Sequence, residues 1–137
     1  MHPPTPNLEG LTAEYYGFCA RGELRLQRCT DCGRWRHPPR VLCAACRSPR
    51  FEWGLTGGRG SLHTWTVIHR PVHPAFADQV PYVLAVVELD EGPRLVSRLS
   101  QAELDELRIG LPLVVTFVRE NDVTFPWFSR EITEGVS

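Results

Sequence analysis

The spacing of apolar residues changes along the chain, from a helical period near the start to strand-like alternation over most of the rest. Between residues 8 and 21, apolar side chains recur at the spacing of one helix face, and Gly22 follows as a natural stop. Gly10 weakens the first turn, so a firm helix is predicted only from about Thr12. Three prolines within the first six residues favour an extended arm before the helix.

Alternation predicts short β-strands on both sides of a turn-rich middle segment. Residues 23–28 alternate, with Leu24 and Leu26 on one side, and residues 51–55 follow as a connecting strand. The glycine-rich run at 57–60 then interrupts the pattern and marks a boundary.

From residue 61 onward the pattern is that of strands separated by turns. The five predicted strands cover residues 61–70, 82–89, 94–99, 113–120 and 125–131. Residues 91–93, Glu-Gly-Pro, predict a hairpin turn between the second and third of them. A capping box at 100–103 predicts a short helix before the fourth, which Gly110 and Pro112 close. This order favours a five-stranded Greek-key barrel of the OB type, with an SH3-like barrel as the nearest alternative.

Four of the five cysteines form two Cys-x-x-Cys pairs, separated by ten residues. Each pair can present two thiolates to one ion, and zinc binds four thiolates tetrahedrally. The spacing therefore predicts a structural zinc site with the ligands Cys29, Cys32, Cys43 and Cys46. Two disulfides, four unrelated thiols, or a single iron ion in the same ligands are the alternatives that the residue types leave open. The predicted fold class is mainly β: an N-terminal helix and zinc ribbon, followed by the OB-type barrel.

Charge is unevenly distributed, although the fifteen basic and sixteen acidic residues leave a net charge of −1. All fifteen basic residues are arginines, and eight of them lie between residues 21 and 50, so the metal module is cationic while the barrel is acidic. No overall basic field favours nucleic acid or anionic lipid. We find neither a signal peptide nor an apolar run long enough to cross a bilayer, so we expect a cytoplasmic location, where thiols remain reduced. The fifth cysteine, Cys19, is expected to pack as a small apolar residue on the helix.

No catalytic constellation is visible in the sequence. Catalysis would need a nucleophile with a base, paired carboxylates, or a metal with an open position, whereas four cysteines close a zinc shell. His69 and His73 have the spacing of a helical metal pair, but Pro71 and Pro74 argue against a helix there. The glycine-rich run at 57–60 lacks the Lys-Ser/Thr ending of a phosphate loop. The sequence therefore predicts a protein that is not an enzyme on its own.

Several motifs together resemble a known family of bacterial and archaeal proteins. They are GELRLQRCTDCG at 22–33, HPPR at 37–40, GRGSLHTWTV at 58–67, PYVLAVVELDEGPR at 81–94 and FPWF at 125–128. This family joins a rubredoxin-like zinc ribbon to an OB-fold domain and is associated with acyl-CoA metabolism. The chain departs from the family pattern at Tyr15-Tyr16, where relatives often carry Phe-Trp, and at Ala44, where they often carry proline.

The resemblance implies an accessory subunit in lipid or steroid metabolism. Its relatives accompany thiolases, thiolase-like lipid-transfer-type aldolases or MaoC-like enoyl-CoA hydratases. It also implies three parts: an N-terminal arm and helix at 1–22, the zinc ribbon at 23–54 and the OB-fold domain at 55–137.

Two further sets of residues are candidates for binding. Aromatic clusters on a small protein often mark partner sites, and they predict partner contacts at Tyr15, Tyr16, Phe18, Phe125, Trp127 and Phe128. Arginine makes forked contacts to phosphate, so candidate contacts for CoA are Arg34, Arg36, Arg40 and Arg70.

Two other classes of function stay open. A nucleic-acid-binding module is one alternative, because zinc ribbons and OB folds both bind nucleic acid, although the acidic barrel argues against it. An iron-based electron carrier is the other.

Overall fold

The computed structural model describes residues 10–70, 81–100, 106–120 and 122–130. Within these residues the chain forms a helix, a three-stranded sheet and a closed five-stranded barrel. In chain order the elements are α1 (Gly10–Ala20), β1 (Arg25–Cys29), β2 (Trp35–Arg36), β3 (Phe51–Leu55), β4 (Arg59–Ile68), β5 (Tyr82–Leu89), β6 (Arg94–Leu99), β7 (Pro112–Glu120) and β8 (Val123–Arg130).

Helix α1 begins two residues before the predicted start and ends where the sequence predicts. Gly22 has a φ of 76° and its amide donates to the Cys19 carbonyl at 2.9 Å, while the Glu23 amide donates to the Phe18 carbonyl at 3.0 Å. These two hydrogen bonds form a Schellman motif, which needs a residue in the left-handed conformation after the helix. Glycine adopts that conformation without a steric penalty, and this explains the stop at Gly22.

The small sheet holds the cysteine-containing segments together. Its strand order is β2-β1-β3, and both pairs are antiparallel. Gln27 pairs with Arg36 across β1 and β2, and Cys29 pairs with Phe51 across β1 and β3. The turn formed by each Cys-x-x-Cys pair is called a knuckle here, and the first knuckle begins at Cys29, the last residue of the central strand.

The barrel has the strand order β4-β5-β6-β8-β7 and is closed by antiparallel pairing of β4 with β7. Strands β6 and β8 are parallel, with Leu99 opposite Phe128. This order confirms the predicted OB-type barrel. The predicted turn at 91–93 also forms, since the Leu89 amide donates to the Pro93 carbonyl at 2.9 Å. Part of the predicted short helix, residues 101–105, lies outside the described residues, as does residue 131 of the last predicted strand.

The barrel closes tightly at its first strand and is filled by large apolar side chains. A Cβ added at Gly60 would overlap the Glu88 carbonyl oxygen, so only glycine fits there without a backbone shift. Inside, Leu62, Leu113 and Phe128 are each at most 1% exposed.

Helix α1 packs beside the end of the barrel. Tyr16 and Phe125 contact edge to face, with ring centroids 5.8 Å apart. The connection between the ribbon and the barrel is also held in place, because the buried Thr56 donates through its amide and its hydroxyl to the Leu24 carbonyl at 3.0 and 2.8 Å. Over the described residues, we find no helix long and apolar enough to span a membrane.

Candidate functional site

The two Cys-x-x-Cys pairs converge on a single point. The four sulfur atoms lie within 4.8 Å of one another, with 3.5 Å between Cys29 and Cys46 and 3.7 Å between Cys32 and Cys43. A tetrahedral ion with metal–sulfur distances of about 2.3 Å requires sulfur–sulfur distances of about 3.8 Å. All four cysteines are free thiols. The observed geometry therefore fits one metal ion in four thiolates and excludes the pairing of these cysteines as disulfides in this structure.

Backbone amides favour the thiolate form in each knuckle. The amides of Cys32 and Asp31 donate to the Cys29 sulfur and lower the pKa of that thiol to about 6. The amides of Cys46 and Ala45 likewise lower the pKa of Cys43. The two knuckles thus use the same pattern of amides two and three residues after the first cysteine.

Cys46 differs from the first cysteine of each pair. The Ser48 amide, the largest single influence, favours its thiolate, but the hydrogen bonds with Cys29, Cys32 and Cys43 together with burial outweigh it and raise the pKa of Cys46 to about 12. Four adjacent thiols cannot all ionise in the absence of a cation, because neighbouring negative charges repel one another. A bound dication attracts every thiolate and removes this penalty, so the donor set requires a metal for full deprotonation.

A polar network braces the two knuckles against each other. The Ser48 hydroxyl and the Arg50 guanidinium both donate to the Asp31 carboxylate, the latter at 2.8 Å. These hydrogen bonds hold the pKa of Asp31 below its usual value. Since Asp31 lies inside the first pair and Ser48 follows the second, the network fixes the relative position of the two halves of the metal site.

A buried glutamine supports the loop between the knuckles, a role that the sequence analysis missed. Gln27 is fully buried, donates to the Arg40 carbonyl at 2.8 Å and accepts from the Arg40 amide at 2.6 Å. Arg36 is 5% exposed and donates to the carbonyls of Arg40 and Arg50 at 3.1 and 3.2 Å. The sequence gives one indication of this role: Gln27 lies in the predicted strand at 23–28, on the face opposite to Leu24 and Leu26.

The four candidate CoA-binding arginines occupy different environments. Arg36 is committed to backbone carbonyls inside the ribbon, and this burial does not suit contact with an external phosphate. Arg34 and Arg40 are exposed in the ribbon, whereas Arg70 is exposed after β4 in the barrel. Neither Arg34 nor Arg40 has a side-chain partner within the part of the chain that the structure describes.

The aromatic candidates also divide into interior and partly exposed groups. Phe128 has no exposed surface and Tyr15 is 4% exposed, so neither side chain can contact a partner directly. Phe128 fills the barrel because its position on β8 faces inward. Trp127, its neighbour, faces outward and has the Arg98 guanidinium 4.7 Å from its ring centroid.

Tyr16, Phe18 and Phe125 keep part of their surface exposed. Tyr16 packs against Phe125, and Phe18 lies 5.4 Å from Trp53, so much of each ring is used within the molecule. The remaining surface of these three residues and of Trp127 is available for contact with another protein.

Cys19, Tyr15 and His37, described titratable groups in or beside the helix, do not form a reactive centre. Cys19 is 1% exposed, and burial raises the pKa of its thiol to about 12, so it packs as an apolar residue. The Tyr15 ring lies 5.2 Å from the His37 ring. Burial, followed by the Arg40 charge, lowers the pKa of His37 to about 4, so this side chain is neutral at pH 7.

Family models match most of the chain. The model for the rubredoxin-like zinc ribbon domain of ChsH2 matches residues 18–52, and the model for the C-terminal OB-fold domain of ChsH2 matches residues 53–118.

Similar proteins come from bacteria and archaea. A probable enoyl-CoA hydratase alpha subunit of Thermomonospora curvata is 37% identical, over 98% of this chain and 42% of that protein. A DUF35 domain-containing scaffold protein of Methanothermobacter thermautotrophicus is 36% identical, over 73% of this chain and 77% of that protein. The chain therefore spans less than half the length of the hydratase subunit but most of the scaffold protein.

A solved structure described as an Ltp2-ChsH2(DUF35) aldolase contains a chain with the same architecture. It superimposes with a TM-score of 0.82 at 34% sequence identity, over 95% of this chain and 100% of that one. The similarity extends over the helix, the zinc ribbon and the barrel together.

Proposed function

The chain belongs to the DUF35 family, with a ChsH2-type zinc ribbon ahead of an OB-fold domain, and from that membership we propose that it is a non-catalytic accessory subunit of an acyl-CoA-processing enzyme. The observation that carries the proposal is the match to the complete DUF35 chain of the aldolase structure. A hydratase alpha subunit with a matching segment supports the same class of partner.

An aldolase of the Ltp2 type is the first candidate partner. Thiolases and MaoC-like hydratases are the next candidates. The chain contributes to assembly of the complex or to handling of its CoA substrate, in lipid or steroid metabolism. The proposed docking residues are the four outward aromatic side chains Tyr16, Phe18, Phe125 and Trp127.

The chemistry of the metal site supports a chain that is not catalytic on its own. Among the described residues, the grouped metal ligands are the four cysteines, and four protein ligands leave no position for a substrate or water. The two thiols whose pKa is lowered, Cys29 and Cys43, are then bound to metal and are not available as nucleophiles.

Zinc is the metal that we propose for this site, in a structural role. Four thiolates in tetrahedral geometry suit zinc or a single iron ion, and metal content distinguishes the two. Purified protein is expected to be colourless with about one zinc per chain. A red protein with a reversible redox transition would identify iron and support the electron-carrier alternative.

We also propose that the chain contacts CoA directly. Exposed Arg34, Arg40 and Arg70 are the candidates for the phosphates, since Arg36 is buried. The measurement is CoA affinity of the assembled enzyme complex with each arginine replaced by glutamine. Loss of one forked arginine–phosphate contact is expected to weaken affinity about tenfold or more.

Complex formation tests the proposed function. The chain is co-expressed with an Ltp2-type aldolase from the same genome, and a tag is placed on only one of the two proteins. We expect co-elution through affinity and size-exclusion steps at fixed stoichiometry. Separate elution from the aldolase, and also from a thiolase and a MaoC-like hydratase of that genome, would contradict the proposal.

A further inference from the structure

The loop between the two knuckles exposes an unusual pair of apolar side chains. Val41 is 70% exposed and Leu42 is 50% exposed, directly before the metal ligand Cys43. Single exposed hydrophobic residues are normal on protein surfaces. Of the six large hydrophobic residues exposed in the described part of the chain, however, only these two are adjacent, and neither belongs to the hydrophobic core.

The loop that carries this pair is held at both ends. At its start, Gln27 and Arg36 fix the Arg40 backbone through three hydrogen bonds of 2.6 to 3.1 Å. At its end, the Cys43 amide donates to the Ser48 carbonyl at 2.9 Å, and the Cys43 sulfur lies in the ligand cluster. Only two residues separate these fixed points. An apolar pair on a rigid support loses little conformational entropy when it is bound.

Arginines lie on both sides of the same pair along the chain. Arg40 precedes Val41, and Arg47 follows within a turn, its amide donating to the Cys43 carbonyl at 2.8 Å. Both side chains are exposed, and neither forms an ion pair with another described residue. The acid inside the knuckles, Asp31, already accepts from Ser48 and Arg50. These two arginines are therefore available for an external acidic group.

We propose that Val41 and Leu42 are an anchor for the partner enzyme and insert into an apolar pocket of that protein whose rim is acidic. This inference rests on the proposed function and adds a second docking surface to the four outward aromatic side chains. Arg40 and Arg47 pair with the carboxylates of the rim. The metal site then has a functional consequence, because it holds the end of the loop that presents the anchor.

The test uses the tagged chain and its co-expressed aldolase, and it compares loss of the exposed pair with loss of an exposed valine on the barrel. The double variant Val41→Ser/Leu42→Ser removes the anchor, and Val96→Ser is the matched control, since Val96 is also 70% exposed but lies on the barrel. We expect the double variant to raise the Kd roughly thirtyfold, as at an interface hot spot, and the control to stay within about twofold. Zinc content and urea unfolding of all variants are measured to establish that each is folded.

A second variant tests the two arginines that are proposed to pair with the acidic rim of the partner. Arg40→Gln/Arg47→Gln is expected to slow association and to reduce its dependence on salt, because rim charges steer encounter. If this variant weakens CoA binding to the complex and leaves assembly unchanged, the two arginines contact CoA and the proposed rim is wrong.

The possible outcomes separate the anchor from the function on which it rests. Wild-type affinity in the Val41→Ser/Leu42→Ser variant, or equal losses in it and in Val96→Ser, would overturn the anchor and leave the accessory role standing. Failure of the wild type to bind any of the three enzymes would overturn both. Vesicles of phosphatidylcholine and phosphatidylglycerol provide the last arm, because binding of wild type but not of the double variant, with unchanged enzyme affinity, would assign the pair to a membrane.

Discussion

Replacing Gln27 by methionine tests how the ribbon supports its metal loop. Methionine has a similar length and volume, so the substitution removes two hydrogen bonds and leaves little cavity. The Arg40 amide loses its acceptor, whereas the Arg40 carbonyl keeps the hydrogen bond from Arg36. Two neutral hydrogen bonds contribute about 1 kcal/mol each, so the free energy of unfolding is expected to fall by about 2 kcal/mol.

Urea unfolding followed by tryptophan fluorescence measures this change. Free zinc is kept constant, because a ligand that binds only the folded state adds to its apparent stability. With a slope of about 2 kcal/mol per molar urea, the midpoint should fall by about 1 M. Glu52→Gln is the control, since this exposed residue on β3 should change stability by no more than about 0.5 kcal/mol. A Gln27→Met midpoint equal to that of wild type, at an unchanged slope, would show that the Gln27 hydrogen bonds do not stabilise the Arg40 loop.

Three other predictions concern the core, the metal and pH. Phe128→Ala should lower the free energy of unfolding by about 3 to 5 kcal/mol in the same urea assay, because the side chain is fully buried; a loss below about 1 kcal/mol would place it outside the core. Cys43→Ser should lose most of its zinc, measured by mass spectrometry, and unfold at a lower temperature; unchanged metal content would remove Cys43 from the ligand set. The pKa of His37 is lowered from 6.5 to about 4, so its contribution to stability is present above pH 6.5 and is lost as the pH falls towards 4. His37→Phe should therefore show a weaker decline between pH 6.5 and 5, and a decline parallel to wild type would contradict the assignment.

Local chemistry explains why much of the fold and metal site could be predicted from the sequence. The spacing of the cysteine pairs restricts the sulfur positions within each knuckle, and Gly22 ends the helix through its own backbone conformation. Alternation likewise identified the barrel strands, most clearly β5 and β6, where every second residue is buried. These signals depend on neighbouring residues and need little knowledge of the tertiary structure.

The predictions that depended on tertiary contacts were less successful. Leu24 and Leu26 indicated one inner face for the predicted strand at 23–28, but the Arg40 loop covers the other face and buries Gln27 as well. The aromatic run at 125–128 shows where large side chains occur, but it does not show which of them faces inward. Pairing of β6 with β8 decides that, and it places Phe128 inside the barrel. Arg36 is similar, since its hydrogen-bond acceptors come from two separate loops.

The proposed accessory role is tested most directly by turnover of an acyl-CoA substrate in a reconstituted system. Three samples are compared at equal concentrations: the chain alone, the Ltp2-type aldolase alone, and the two proteins combined after zinc content has been verified. We predict no turnover by the chain alone, and a higher kcat/KM for the combined sample than for the aldolase alone. Turnover by the chain alone, or a complex whose kcat/KM equals that of the isolated aldolase, would overturn the proposed accessory role.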